Sequence, residues 1–188
     1  KILEGFEPRH LNVKVKIALI LIEKKDYGLA IEKLEEIIRI DASSDRIRFY
    51  LGAVYEEVDK YKLAIQHFSE IEPTSTYYPE AIIHTSYLHK VQGSLDEAAE
   101  TIVKAIEVRD DIPQFYAYYA SLLDDRRQWN KAVAMLDKAV EKFPTHTQLR
   151  FFLGSMYDRT GRQEKTIEQM RKVLEIDEEH VQALNYLA

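Results

Sequence analysis

The six histidines, His10, His67, His84, His89, His146 and His180, are candidates for metal or proton chemistry, and their spacing argues against it. No two stand four apart on one helical face, and His84 and His89, five apart, project from different sides of a helix. Asp124 and Asp125 are adjacent, so their side chains diverge instead of facing each other as an acid–base pair. Cysteine is absent, which excludes disulfides, thiolate metal sites and cysteine nucleophiles while suiting oxidising and reducing compartments alike. No glycine-rich phosphate loop or nucleophile motif occurs. The sequence assigns no catalytic residue, no metal ligand and no cofactor, and it reads as a chain without enzymatic activity.

What does recur is binding chemistry. Tyr50, His84, Tyr118, Phe152 and Tyr186 stand 34 residues apart, a ring each time, with Phe49 and Phe151 just before two of them and Tyr87 shortly after a third. Rings repeated along a surface give large contact area at small entropic cost, which suits capture of an apolar or helical peptide. The same rings can instead stack on neighbouring helices, which contributes about 0.5–1.5 kcal/mol per aromatic pair to the fold itself. Acids follow six or seven residues after several rings: Glu56 and Glu57, Asp124 and Asp125, and Asp158. Carboxylate beside aromatic favours a partner carrying lysine or arginine, through Coulomb attraction and cation–π contact. A solvated acidic turn is the plainer alternative for any one of them.

The elements that position these residues follow from the same interval. Alanine stands at Ala30, Ala64, Ala98 and Ala132, and the next step of 34 reaches Thr166. A period of that length marks a stack of two-helix units. With residue 11 as position 1, copies span 11–44, 45–78, 79–112, 113–146 and 147–180, and residues 181–188 begin another. Position 8 is always small (Ala18, Gly52, Ser86, Ala120, Gly154 and Ala188), whereas position 24 is bulky (Leu34, Phe68, Ile102, Leu136 and Met170). Small residues let two helices approach and bulky ones fill the space beside them, so each copy reads as helix A, a tight turn and helix B.

Punctuation agrees. Pro79 and Pro113 occupy position 1, where a missing N–H costs a helix nothing. Gly93 and Gly161 share position 15, between the helices, where positive φ eases the turn. Pro8 and Pro144 share position 32 and read as helix stops. Pro73, at position 29, should end helix B of the second copy early and leave Thr74 to Tyr78 as a longer connection. Residues 1–10 read as the close of a preceding helix B, so the segment reads as cut from a longer repeat protein.

The set Leu51, Gly52, Tyr55, Tyr61, Ala64 and Phe68, with Leu153, Gly154, Tyr157 and Gly161, and with Trp129, Ala132, Ala139 and Pro144, resembles the tetratricopeptide repeat over residues 11–180. Position 4 departs from that pattern: it holds Lys14, Arg48, Ile82, Tyr116 and Arg150 where the family often has tryptophan, which should weaken packing locally. The resemblance implies an all-α, right-handed superhelical solenoid of antiparallel helix pairs, with helix A on the concave side. Positions 2, 5, 6, 9, 12 and 13 would then face the groove, among them Phe49, Tyr50, His84, Tyr87, Tyr118, Phe151, Phe152 and Tyr186, with Glu56, Glu57, Asp124, Asp125 and Asp158 at its edge. The family's clamp for a peptide carboxylate needs lysine, arginine and asparagine at positions 5 and 9, where this chain has Val15, Leu19, Phe49, Ala53, Ile83 and Tyr87.

Net charge narrows the partner. At −6, with no lysine or arginine stripe beside the rings, the chain lacks what phosphate binding requires, so nucleic acid is not expected. The longest apolar runs, such as Ile17 to Ile22, are too short to span a bilayer. The sequence therefore reads as a protein–protein interaction scaffold that takes an apolar, basic peptide or helix of a partner protein. The alternative is a recruiting or regulatory segment of a larger enzyme whose catalytic domain lies elsewhere. Self-association through the groove or through uncapped ends, where Leu184 and Leu187 await a partner helix, is a third reading.

Overall fold

A computed structural model describes residues 8–188, and eleven helices and no strand run through them. They are α1 (Pro8–Glu23), α2 (Tyr27–Ile40), α3 (Asp45–Glu57), α4 (Tyr61–Ser69), α5 (Tyr78–Val91), α6 (Leu95–Val108), α7 (Pro113–Asp125), α8 (Trp129–Lys142), α9 (Thr147–Arg159), α10 (Gln163–Ile176) and α11 (Val181–Leu187). Odd-numbered helices are the A helices of the copies, even-numbered ones the B helices. The chain divides into two compact units, residues 1–94 and 95–188. In the first, α1 packs on α2, α2 on α3, α3 on α4 and α4 on α5, and α3 also touches α5. In the second, α6 to α11 do the same, and α7 touches α9.

The turn from A to B is one device used five times. Position 15 is left-handed in every copy: Lys25 (φ 59°), Asp59 (58°), Gly93 (82°), Arg127 (55°) and Gly161 (73°). The next N–H, of Asp26, Lys60, Ser94, Gln128 and Arg162, reaches back five residues to the carbonyl of Leu21, Tyr55, His89, Leu123 and Tyr157. That bond across a left-handed residue closes a helix C-terminus by satisfying a carbonyl the helix leaves open. The spacing singled out only the two glycines.

Small against large holds at the A/B contact. A Cβ added to Gly52 would lie 2.5 Å from the Phe68 ring, and one added to Gly154 would lie 2.6 Å from the Met170 methyl. Ala30, Ala64, Ala98, Ala132 and Thr166 are fully buried, as are Leu34, Ile102 and Leu136. Position 27 (Ile37, Ile71, Ala105, Ala139, Val173) is buried in all five copies.

The second copy is irregular where Pro73 predicts it. Its B helix, α4, has 9 residues, against 14 in α2, α6, α8 and α10. It ends at Ser69, the residue whose carbonyl a proline four places on would strike. Ile71 remains buried beyond the helix end, so the core register survives the break. Pro8, expected to close an earlier helix, is instead the first residue of α1, and residues 1–7 lie outside the described part.

Position 4 shows what replaces the missing tryptophan. Arg48, Tyr116 and Arg150 each donate to a carbonyl six residues earlier, those of Ala42 (2.6 Å), Asp110 (3.0 Å) and Pro144 (2.8 Å). All three acceptors are position 32 of the preceding copy, so a side chain on helix A ties down the loop that leads into it. Tyr55 and Tyr157, both buried, make a second recurrent link by donating to Glu35 (2.7 Å) and Asp137 (2.6 Å) on the preceding B helix. Desolvation and that bond to a carboxylate push both phenols up to about 12.

Candidate interaction site

In the first unit the position-6 residues are exposed Lys16, half-buried Tyr50 and half-buried His84. Arg46, one turn before Tyr50, donates through Nε to the Tyr50 hydroxyl (3.3 Å) and holds its guanidinium 5.5 Å from the ring centroid. His84 stacks on Phe68 of α4 at 5.3 Å, and its Nδ1–H donates to Glu56 Oε2 at 2.6 Å. The carboxylate favours the imidazolium and raises the histidine's pKa, and this outweighs the opposing effect of burial. Glu57 accepts from the Tyr27 hydroxyl at 3.0 Å, which raises the Tyr27 pKa. Tyr27, Tyr50, Glu56, Glu57 and His84, with Leu19, Ile22, Ala53 and Val54, line a hollow of about 290 Å³. Glu56 and Glu57 also line a neighbouring hollow of about 270 Å³ with Asp59, Tyr61 and Tyr87; Tyr87 is 46% exposed, and the Tyr61 hydroxyl donates to Asp59 (2.6 Å).

In the second unit, Tyr118 and Phe152 are half-buried and Tyr186 is 38% exposed. The Tyr186 hydroxyl donates to Asp158 at 2.8 Å, and the bond raises its pKa. Asp124 accepts from the Trp129 indole N–H (2.9 Å) and lies 3.7 Å from Arg159 Nε; Asp125 is exposed.

Position 5 does not face outward as the spacing suggests. Val15 and Ala117 are buried, Phe49 packs on Phe68 (5.7 Å) and Tyr77 (5.3 Å), and Phe151 meets His180 (5.3 Å) and the cluster of Met170, Val173 and Ala183. The reason is helical geometry: position 5 lies three residues before position 8, so it shares the face turned toward helix B. Position 6, one step round, keeps its rings at the margin.

The sequence reading missed that rings and acids meet each other. His84 pairs with Glu56, and Tyr186 with Asp158, each 28 residues apart and each joining position 6 of one copy to position 12 of the copy before. A donor-bearing ring 28 residues after an acid is the signal that would have found it. Tyr27 and Arg46 were missed as well. Two histidines serve as caps: Nδ1 of His146 and of His180, both position 34, accepts from the N–H of Leu149 (3.4 Å) and Ala183 (3.3 Å). His67 is stacked on Tyr55 at 5.5 Å, and burial lowers its pKa. Among the described residues no group of three or more His, Asp or Glu side chains is arranged to hold a metal, and no helix is long and apolar enough to cross a membrane.

Comparison with known proteins agrees with this architecture. Family models described as tetratricopeptide repeat match residues 11–44 and 120–181. The TPR repeat-containing protein MJ1428 of Methanocaldococcus jannaschii is 27% identical over 128 residues, 66% of this chain but 22% of that protein, so the chain spans about a fifth of the relative's length. YrrB, a TPR protein with an unusual peptide-binding site, superposes with a TM-score of 0.63 at 17% identity, covering 92% of this chain and 89% of its own. MamA from Desulfovibrio magneticus RS-1 gives 0.66 at 16% identity, covering 91% and 97%. Identities this low speak for a shared fold. With two family models, a curated relative and solved structures in agreement on the helix pairs described above, the chain belongs to the tetratricopeptide repeat family.

Proposed function

We propose that the chain is a protein-interaction scaffold that binds a peptide or helical segment of a partner protein on the A-helix faces of its two units. The observation that carries this is the accessibility of position 6: Tyr50, His84, Tyr118, Phe152 and Tyr186 are all half-buried or exposed, on elements whose cores are closed by other residues. An aromatic or imidazole ring left at least partly accessible in five consecutive copies forms a patch that folding alone does not require. The carboxylates beside the rings favour a partner with basic side chains, and the five full copies and the start of a sixth are read as one array of repeats. YrrB, similar in fold, carries a peptide-binding site, which agrees with this reading. The chain's share of its curated relative supports a second reading, a recruiting segment of a longer protein, in which the binding role is the same. No catalytic role is proposed.

Panning a phage-displayed peptide library on the chain tests the reading. Peptides rich in apolar and basic residues should be enriched, and replacing Tyr50, Tyr118 and Phe152 by serine should abolish their binding with helical circular dichroism unchanged and melting lowered by no more than about 4 °C per ring. Retention of the selected peptides by the triple variant would refute the role of position 6. A collapse in melting would make the rings structural.

A further inference from the structure

We infer that the hollow shared by α1, α2, α3 and α5 receives an arginine side chain of the bound peptide, its methylene stem against Leu19, Ile22 and Ala53 and its guanidinium at Glu56 and Glu57. This rests on the interaction reading above and names the chemistry one subsite selects. Two independent features converge. The first is a volume of about 290 Å³ whose lining runs from buried Val54 to exposed Glu57, apolar at one end and anionic at the other. An arginine has the matching polarity, a stem that packs and a head that stays near water. The second is charge. Two carboxylates line the hollow and no lysine or arginine does, so among its described lining residues only His84 can supply a positive charge. His84 and Tyr27 engage one oxygen of each carboxylate, Oε2 in both cases, and a carboxylate accepts more than one hydrogen bond. The planar guanidinium fork suits two neighbouring acids and aromatic faces better than an ammonium does. Tyr50 already attracts one such group, since Arg46 lies over its ring within the chain itself.

NMR titration of the isotopically labelled chain with N-acetyl-arginine amide tests the assignment, with N-acetyl-citrulline amide, the same shape without charge, and N-acetyl-lysine amide as comparators. The arginine probe should saturably shift the amides of Tyr50, Ala53, Glu57 and His84, and citrulline should bind about tenfold more weakly. Glu57→Gln, at an exposed position that leaves the fold intact, should lower arginine affinity by a similar factor. Equal binding of arginine and citrulline, shifts confined to the acids of the second unit, or an unaffected Glu57→Gln variant would overturn the proposal. Lysine binding as tight as arginine would overturn the choice of guanidinium. Library peptides that bind through the rings but lose nothing on Arg→citrulline replacement would refute this subsite and leave the scaffold reading standing. Arginine amide seated in the hollow while no peptide is ever retained would do the reverse.

Discussion

At the scale of single residues, identity matters most where two side chains share one space. Gly52 and Gly154 occupy the same position in their copies, yet their neighbours differ: a rigid ring at Phe68 and a flexible thioether end at Met170. Gly52→Ala should therefore cost about 1–3 kcal/mol by overpacking. Gly154→Ala should cost less, because the Met170 methyl can swing aside. Denaturant melts of the two variants check this, and equal losses would mean that backbone contacts rather than the facing side chain set the cost. A second residue-scale effect is pH dependence. His84 is raised above its ordinary 6.5 by Glu56, with Glu80 on its own helix adding to the effect and Phe68 of α4 supplying a ring without charge. Its contribution to stability is thus complete below pH 6.5 and lost as pH rises through its folded-state value. His67, lowered by burial, acts in the opposite sense, with stability present above pH 6.5 and lost on acidification. The two histidines partly cancel in the intact chain, so the test is the melting difference between it and His84→Gln, which should be larger near pH 5.5 than near pH 8.5. The reverse order would contradict the His84–Glu56 charge pair. Glycine at position 8 occurs only where position 24 is Phe or Met, so this complementarity was open to inspection in the sequence. The histidine's partner was not, because a contact 28 residues away depends on how one hairpin lies against the next.

Among elements, the A-to-B turn offers the sharpest test. Three of its five left-handed residues carry a Cβ, and that conformation costs an ordinary L-residue about 1–2 kcal/mol. Part of any gain from glycine is offset by greater freedom of the unfolded chain. Arg127→Gly should still stabilise by about 0.5–1 kcal/mol, and Gly161→Ala should destabilise by about 1 kcal/mol or more. Loss of stability in Arg127→Gly would show that the arginine side chain contributes more than its backbone strain costs. The helices themselves were legible because size at positions 8 and 24 and proline at positions 1 and 29 act locally on the backbone. What escaped was the use of lysine, aspartate and arginine at position 15, since the Schellman bond from position 16 to position 11 selects backbone geometry and tolerates several side chains. Position 4 escaped similarly: the resemblance flagged weakened packing, and hydrogen bonds to the preceding loop take its place.

For the whole molecule, a net charge of −6 should show in the ionic-strength dependence of binding. A basic peptide selected by the chain should lose affinity as salt is raised from about 0.05 M to 0.5 M, because screening shortens the reach of exposed charge, while an uncharged apolar peptide should lose little. Identical salt profiles for both would remove the acids from the recognition account. The period in the sequence made the succession of hairpins legible, since within each unit the described helices pack mainly on their neighbours in the chain. The division into two units at residues 94 and 95 carried no mark in it, because the glycine of that turn, Gly93, recurs at Gly161 and no proline or composition change accompanies it. The bonds from positions 4, 6 and 11 back to positions 32, 12 and 25 of the preceding copy bear on how such a protein can be rebuilt. Donor and acceptor are written on opposite sides of the copy boundary, so one copy grafted alone would arrive with mismatched groups at both seams. Recombination should respect adjacent pairs, and diversification of the proposed binding face should proceed two hairpins at a time.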